Sequence, residues 1–324
     1  SSSFGSGSPG PLSIDLSEDT IINRAGTTSG MMVHHSEAHD AVRKGFLSTC
    51  PPSADESVAL AAGLCLDGRP LAPPQFHAVD WQNGQKFEEA DDPDRTLEPF
   101  DIPSFVQTHP ETQRLKTRSE ELPVLSTHGS FARIVFGLLD ESHCAELIDR
   151  VNAKGFTPAL LNIGRGRQQL EPYVRNGHRV IFDCAGLSKW LLEVLRPYLP
   201  AELYGGKLVD LNDRLRFLCY TPGQEFAMHM DGNYRRPSDH PRAGDNSRVT
   251  VQIYLHDVPE ENGGATTFEF CSHGRARERL PCQPKAGSAL IFTQDLMHEG
   301  SLLKQGLKYT LRTEAMYSSQ MIGH

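Results

Sequence analysis

The sequence predicts a mainly β fold of the α+β class: a jelly roll, or double-stranded β-helix, backed by helices and preceded by an irregular N-terminal extension. Three observations predict it. From about residue 127 on, helical spacing of apolar residues marks two segments between residues 140 and 200, and after residue 215 short strand-like runs follow one another, punctuated by Gly, Pro, Asn and Asp. Before residue 125, prolines and acidic residues break any longer period. The chain therefore divides into an extension, 1–125, and a jelly-roll domain, 126–324.

In chain order, residues 1 to about 11 are rich in Ser, Gly and Pro and are expected to be flexible. Glu37–Leu47 reads as a short helix, and Val58–Leu66 as a helix or a buried strand, since nine residues cannot separate the two. His34, His35 and His39 gather near the first of these. No carboxylate or cysteine ligand set accompanies them, so a solvated polar helix start is the better reading. Phe131–Leu139 is strand-like, and Asp140 then caps a helix carrying Cys144, Leu147, Ile148 and Val151 at helical spacing as far as Gly155. Arg179–Asp183 is a short strand. A second helix presents Leu187, Leu191, Val194, Leu195 and Tyr198 on one side and stops around Pro197 and Pro200. The remaining candidates are strands at 215–221, 225–231, 249–256, 265–270, 288–293 and 308–317.

Composition limits the function classes. With 324 residues and 38% hydrophobic content the chain can bury a substantial core. Its longest apolar run, Val58–Leu66, is far short of the roughly 20 residues a membrane helix needs. A net charge of -9 argues against coating nucleic acid. Seven cysteines without a CxxC form no disulfide framework, which points to a reducing compartment, cytoplasm or nucleus. The first residue is not Met, as expected of a trimmed or processed form.

The chemistry centres on Arg216 to Asp231. A strand to Tyr220, a turn at Thr221-Pro222-Gly223-Gln224 and a second strand to Asp231 would set His229 and Asp231 side by side on one face. Phe226, Met228 and Met230 would then face the opposite layer. One imidazole and one carboxylate are two metal ligands awaiting a third, and His298, after the apolar run ending at Phe292, is the candidate. Two histidines and a carboxylate with open coordination positions form the facial triad of non-heme Fe(II) oxygenases. Singly, each residue is more often an ion pair or a hydrogen-bonded core histidine. The joint pattern carries the metal reading.

The surrounding motifs make a resemblance plain. Tyr-Thr-Pro-Gly-Gln before His229-Met-Asp231, the Gly263-Gly264 turn, Pro-x-x-Gly-Ser-Ala-Leu-Ile-Phe before His298, and Gly306-x-Lys308-Tyr with a following Arg312 resemble a 2-oxoglutarate- and Fe(II)-dependent dioxygenase of the prolyl 4-hydroxylase-like group, over roughly Thr127 to Tyr317. The resemblance implies that His229, Asp231 and His298 bind Fe(II), with 2-oxoglutarate and O2 in the exchangeable positions and ascorbate as a supporting reductant. It implies hydroxylation coupled to decarboxylation of 2-oxoglutarate to succinate and CO2. In halogenating relatives a small residue stands in place of the carboxylate, so Asp231 favours hydroxylation. Tyr220 matches a tyrosine set against the co-substrate, and Tyr254 lies on the next strand in a similar place. The distal carboxylate needs a cation, and Lys308 and Arg312 share a strand face. Prolyl 4-hydroxylases use a lysine ten residues after the second histidine, the Lys308 spacing, whereas the planar fork of an arginine leans the choice to Arg312. Both remain candidates.

The loop Gly232–Asn246 follows the first two ligands directly, so it should overhang the metal and choose the substrate. Arg235, Arg236, Arg242 and Arg248, with Arg165, Arg167, Arg175 and Arg179 upstream, predict a basic entrance for a negatively charged group or a peptide backbone. The leading function is a hydroxylase of a protein or peptide residue such as proline. The alternatives are a hydroxylase of a free small molecule, a nucleic-acid demethylase and a non-catalytic jelly-roll module. Intact ligands disfavour the last, and the absence of a basic or aromatic stripe disfavours nucleic acid.

Overall fold

The computed structural model describes residues 52–62, 64–88, 100–126, 129–164, 166–271 and 276–319. The expected helix at 37–47, the His34/His35/His39 cluster, the flexible start and Arg165 lie outside the described residues.

Two sheets face each other. The larger, ten strands among the described residues, runs in the order 118–121, 132–136, 289–293, 246–254, 308–317, 214–220, 178–183, 157–158, with 206–211 also pairing with 308–317 and 202–203 pairing with 206–211. The smaller runs 226–229, 298–300, 266–271, 277–282. Every pairing in both is antiparallel, as in a jelly roll. The sheets meet through aromatic side chains: the Phe268 ring packs edge-on at 5.1 Å from Phe292, beside the buried Tyr254 and Leu290.

The period-2 pattern of the strands decides which face holds the core and which holds the chemistry. On Arg214–Tyr220, Leu215, Phe217 and Cys219 point into the main core, while Arg214, Arg216, Leu218 and Tyr220 line a cavity between the sheets. The outer face is covered by two helices. Glu141–Lys154 starts with Asp140 in a capping box with His143 and ends at Gly155, whose φ of 81° is left-handed. Ala185–Leu195 buries Leu187, Trp190, Leu191, Val194 and Leu195, and a 3-10 turn over Arg196–Tyr198 closes it where Pro197 ends the α-helical ladder. Each such fully buried side chain contributes about 1.5–3 kcal/mol.

Val58–Leu66 is split: Ala54–Ala61 is a helix with a Ser53/Glu56 capping box, and Cys65–Leu66 is half of a tiny hairpin. Leu66, Leu71, Phe100 and Phe105 join the main core, and Arg118–Glu121 extends the large sheet. The strand Arg277–Cys282, with exposed alternating charges and Pro281, was not anticipated; those features suit a sheet edge. The six cysteines among the described residues are all unpaired. No helix among them is long and apolar enough to cross a membrane.

Candidate metal centre and its cavity

His229 ends the strand Phe226–His229, and His298 begins the neighbouring strand, directly opposite it in register. Asp231 follows two residues later, its backbone N–H donating to the Gln294 carbonyl at 3.1 Å. One ligand atom from each of the three lies within 4.8 Å of the others. His229 Nε2 is 3.6 Å from Asp231 Oδ1, and His298 Nε2 is 3.7 Å from Asp231 Oδ2. Among the described residues no other group of three such side chains converges this way.

The hydrogen bonds fix the tautomers. His229 Nδ1 sits 2.7 Å from the Ala227 carbonyl and His298 Nδ1 3.0 Å from the Leu296 carbonyl. A carbonyl only accepts, so both Nδ1 atoms carry the proton and both Nε2 lone pairs face Asp231. Burial pushes the His298 imidazole down to about 4, keeping it neutral at ordinary pH. Burial alone would raise the Asp231 carboxyl, but Arg312 and the two imidazoles outweigh it and hold the group well below the usual carboxylate range. Two neutral nitrogens and one anionic oxygen, pre-aimed at one point, fit Fe(II). Thr250 Oγ1 donates to Asp231 Oδ2 at 2.6 Å, and Arg312 Nη2 meets Oδ1 at 2.9 Å, so the carboxylate is oriented from both sides.

The centre opens into a cavity of about 600 Å³. Strict alternation had placed Phe226, Met228 and Met230 on the opposite layer, but the register slips between Phe226 and His229. Phe226 instead stacks on the His229 ring at 3.7 Å, and both methionines line the same cavity as the histidine. Phe292 packs on His298 at 4.7 Å from the other side.

The other expected site residues are distributed unevenly. Tyr220 is buried on the cavity wall, its ring against Gly177, where an added Cβ would come within 2.7 Å of it. Tyr254 is not on the wall: its hydroxyl donates to Thr266 Oγ1 at 2.8 Å inside the inter-sheet core, so its role is packing. Lys308 is buried on the wall with its ammonium 5.3 Å from the Tyr220 ring centre. No carboxylate of the described residues pairs with it, and burial pushes its pKa down to about 7. Arg312 is ion-paired with Asp231 and, at 2.8 Å, with Glu314, which also holds Arg216. Its acidic partners outweigh burial and keep it charged.

The basic entrance does not sit on the loop as expected. Arg236 is buried, paired with Asp210 at 2.8 Å and Asp245 at 3.4 Å. Arg235 is exposed in a bridge to Asn246, and Arg248 lies 5.9 Å over the Tyr204 ring. None of the three lines the cavity. The cavity's arginines come from its walls: Arg175, Arg179, Arg214, Arg216 and Arg312. Arg214 and Arg216 were legible only as alternate residues of a strand whose inward face had not been fixed.

The family model described as the 2OG-Fe(II) oxygenase superfamily matches residues 215–313. No curated protein sequence matches the chain. Among solved structures, the chain is similar to a prolyl-4-hydroxylase of Pseudomonas putida (20% identity, 60% of this chain and 95% of that one, TM-score 0.39). It is similar too to the viral collagen prolyl hydroxylase of Paramecium Bursaria Chlorella virus-1 in its 2OG complex (21% identity, 60% and 98%, TM-score 0.40). A third is the Trichoplax adhaerens prolyl hydroxylase in complex with a hypoxia inducible factor oxygen degradation domain peptide fragment (15% identity, 66% and 94%, TM-score 0.45).

Proposed function

We propose that this chain, which belongs to the 2OG-Fe(II) oxygenase superfamily and is a dioxygenase using Fe(II), 2-oxoglutarate and O2, hydroxylates a residue of a peptide or protein, proline foremost. The observation that carries the substrate reading is the state of the two candidate cations. Arg312 is already paired with two carboxylates, Asp231 and Glu314, whereas Lys308 is buried on the cavity wall without a carboxylate among the described residues. The charge of the arginine favoured at first is therefore already balanced by carboxylates of the chain itself. The unfilled cation is the lysine ten residues after His298, the spacing that prolyl 4-hydroxylases use.

When bound, the iron and its co-substrate supply the oxidising power, with 2-oxoglutarate leaving as succinate and CO2. The chain's own residues supply placement. His229, Asp231 and His298 would hold the metal through both Nε2 atoms and the carboxylate, a donor set that suits Fe(II) and leaves room for the co-substrate. Lys308, its ammonium over the Tyr220 ring, would receive the distal carboxylate as a point charge. Phe226 and Phe292, packed on the two imidazoles, fix the rings and exclude water from that side.

The test is a mass-spectrometric search for a +16 product in proline-containing peptide pools supplied with Fe(II), ascorbate and 2-oxoglutarate, with Asp231→Ala as control. Hydroxyproline formed by the native chain and absent in the control is the expected result. A +16 product confined to free metabolites would replace the peptide reading.

A further inference from the structure

Resting on the peptide reading above, we propose that Arg175 is a specificity-determining residue that binds an acidic group beside the hydroxylated residue, so that the preferred peptide carries a carboxylate next to its target. Arg175 lines the cavity of about 600 Å³. Its segment is pinned: the Arg175 N–H donates to the Glu171 carbonyl, Arg175 bridges to Phe226, and Asn176 binds the backbone at Glu225 and Gly223. The guanidinium lies 4.7 Å over the ring of Phe226, which itself stacks on His229. It is thus one aromatic ring removed from a metal ligand.

Its donors are mostly unspent. Nη1 reaches the Leu160 carbonyl at a long 3.3 Å, the Tyr220 hydroxyl is a second neutral acceptor, and the buried Nε has no partner. No carboxylate of the described residues pairs with Arg175, and burial pushes its pKa down to about 10. A desolvated guanidinium held by neutral acceptors is costly unless a ligand brings the anion, and its planar fork matches a carboxylate bidentately. Four of the other charges of the cavity are already engaged or assigned. Arg216 and Arg312 share Glu314, Arg312 also holds Asp231, Glu299 is tied to Arg279, and Lys308 is allotted to the co-substrate. The exposed Tyr173, two residues before Arg175, and the partly exposed Met230 of the cavity wall offer apolar surface to the rest of a peptide.

The experiment compares blocked proline-centred pentapeptides that differ only in the flanking residue, Glu, Gln or Lys, on the native enzyme, Arg175→Gln and Arg175→Lys. Mn(II) binding and thermal unfolding verify that each variant is folded. The native enzyme is expected to favour the Glu peptide over the Gln peptide at least tenfold in kcat/KM, through KM. Arg175→Gln should bring that ratio within twofold, and Arg175→Lys should restore part of it. A native enzyme indifferent to the flanking charge, or a preference that survives in Arg175→Gln, overturns the proposal. So does a raised KM for 2-oxoglutarate in Arg175→Gln with the acidic preference intact, which would assign Arg175 to the co-substrate. If no peptide reacts but carboxylic acids of a metabolite pool gain +16 and lose it in Arg175→Gln, the peptide reading fails while the anion site stands.

Discussion

At the scale of single residues, Lys308 carries the sharpest expectation because its charge depends on what sits beside it. Free, it has a pKa of about 7, set by burial alone, with the neighbouring His256 kept neutral by its own burial at about 4. A bound carboxylate favours the ammonium form and raises that pKa. Binding of 2-oxoglutarate should therefore take up a proton above pH 7, and its affinity should fall by up to about tenfold per pH unit between pH 7 and 9. Calorimetry with Mn(II) in buffers of different ionisation enthalpy measures both. Lys308→Met should weaken 2-oxoglutarate about 10- to 100-fold, the worth of one charged hydrogen bond, and flatten the pH profile. For stability the sign is opposite to that of a lysine gaining a partner. The folded pKa lies below the unfolded one, so the unfolded chain holds the extra proton between about pH 7 and about 10.4, and the stability cost of burying Lys308 is progressively relieved as pH rises through that window. An unchanged 2-oxoglutarate affinity in Lys308→Met would return the role to Arg312.

At the scale of elements, the sequence was most legible where a period and its punctuation agreed. The helix after Asp140 and the strand 308–317 were readable because caps, glycines and alternation all pointed one way. The methionines around His229 were misassigned because a register slip between Phe226 and His229 leaves no mark in an alternating pattern. Tyr254 was misplaced because neither its strand nor its spacing reveals a hydroxyl partner contributed by a later strand, Thr266. The loop after Asp231 shows the same limit. Its arginines looked like a substrate-facing set, yet the pairing of Arg236 with Asp210, 26 residues away, and Asp245 turns one of them into a clamp holding the loop to the large sheet. Removing one member of a buried pair costs about 3–5 kcal/mol, because the charges left behind keep their desolvation penalty. Arg236→Gln should accordingly destabilise the fold by that order in denaturant unfolding. Arg235→Gln, an exposed neighbour, should stay within about 0.5 kcal/mol. Equal effects of the two would remove the clamp.

At the scale of the whole molecule, the metal centre ties together the two sheets that the chain must bring face to face. His229 and His298 belong to the small sheet, while Thr250 and Arg312, which orient Asp231, belong to the large one. The three ligands span 70 residues of sequence, so the unfolded chain cannot present them together. An ion that binds only the folded chain stabilises it by mass action, about 2.7 kcal/mol when free metal is a hundredfold above its dissociation constant. In a chain of 324 residues that corresponds to roughly 4 °C in Tm. Mn(II) added under anaerobic conditions should therefore raise Tm by a few degrees, and a chelator should reverse the rise. 2-Oxoglutarate should add a further increase only when the metal is present, because the ion and Lys308 would hold it jointly. Asp231→Ala should lose the metal-dependent rise, since it removes the only anionic member of the ligand set. The metal-free variant is not expected to gain stability, because Arg312 then faces the cavity with Glu314 alone to balance it. A metal-dependent rise of equal size in Asp231→Ala would place the ion elsewhere and sever the link between the convergence of the two sheets and the chemistry.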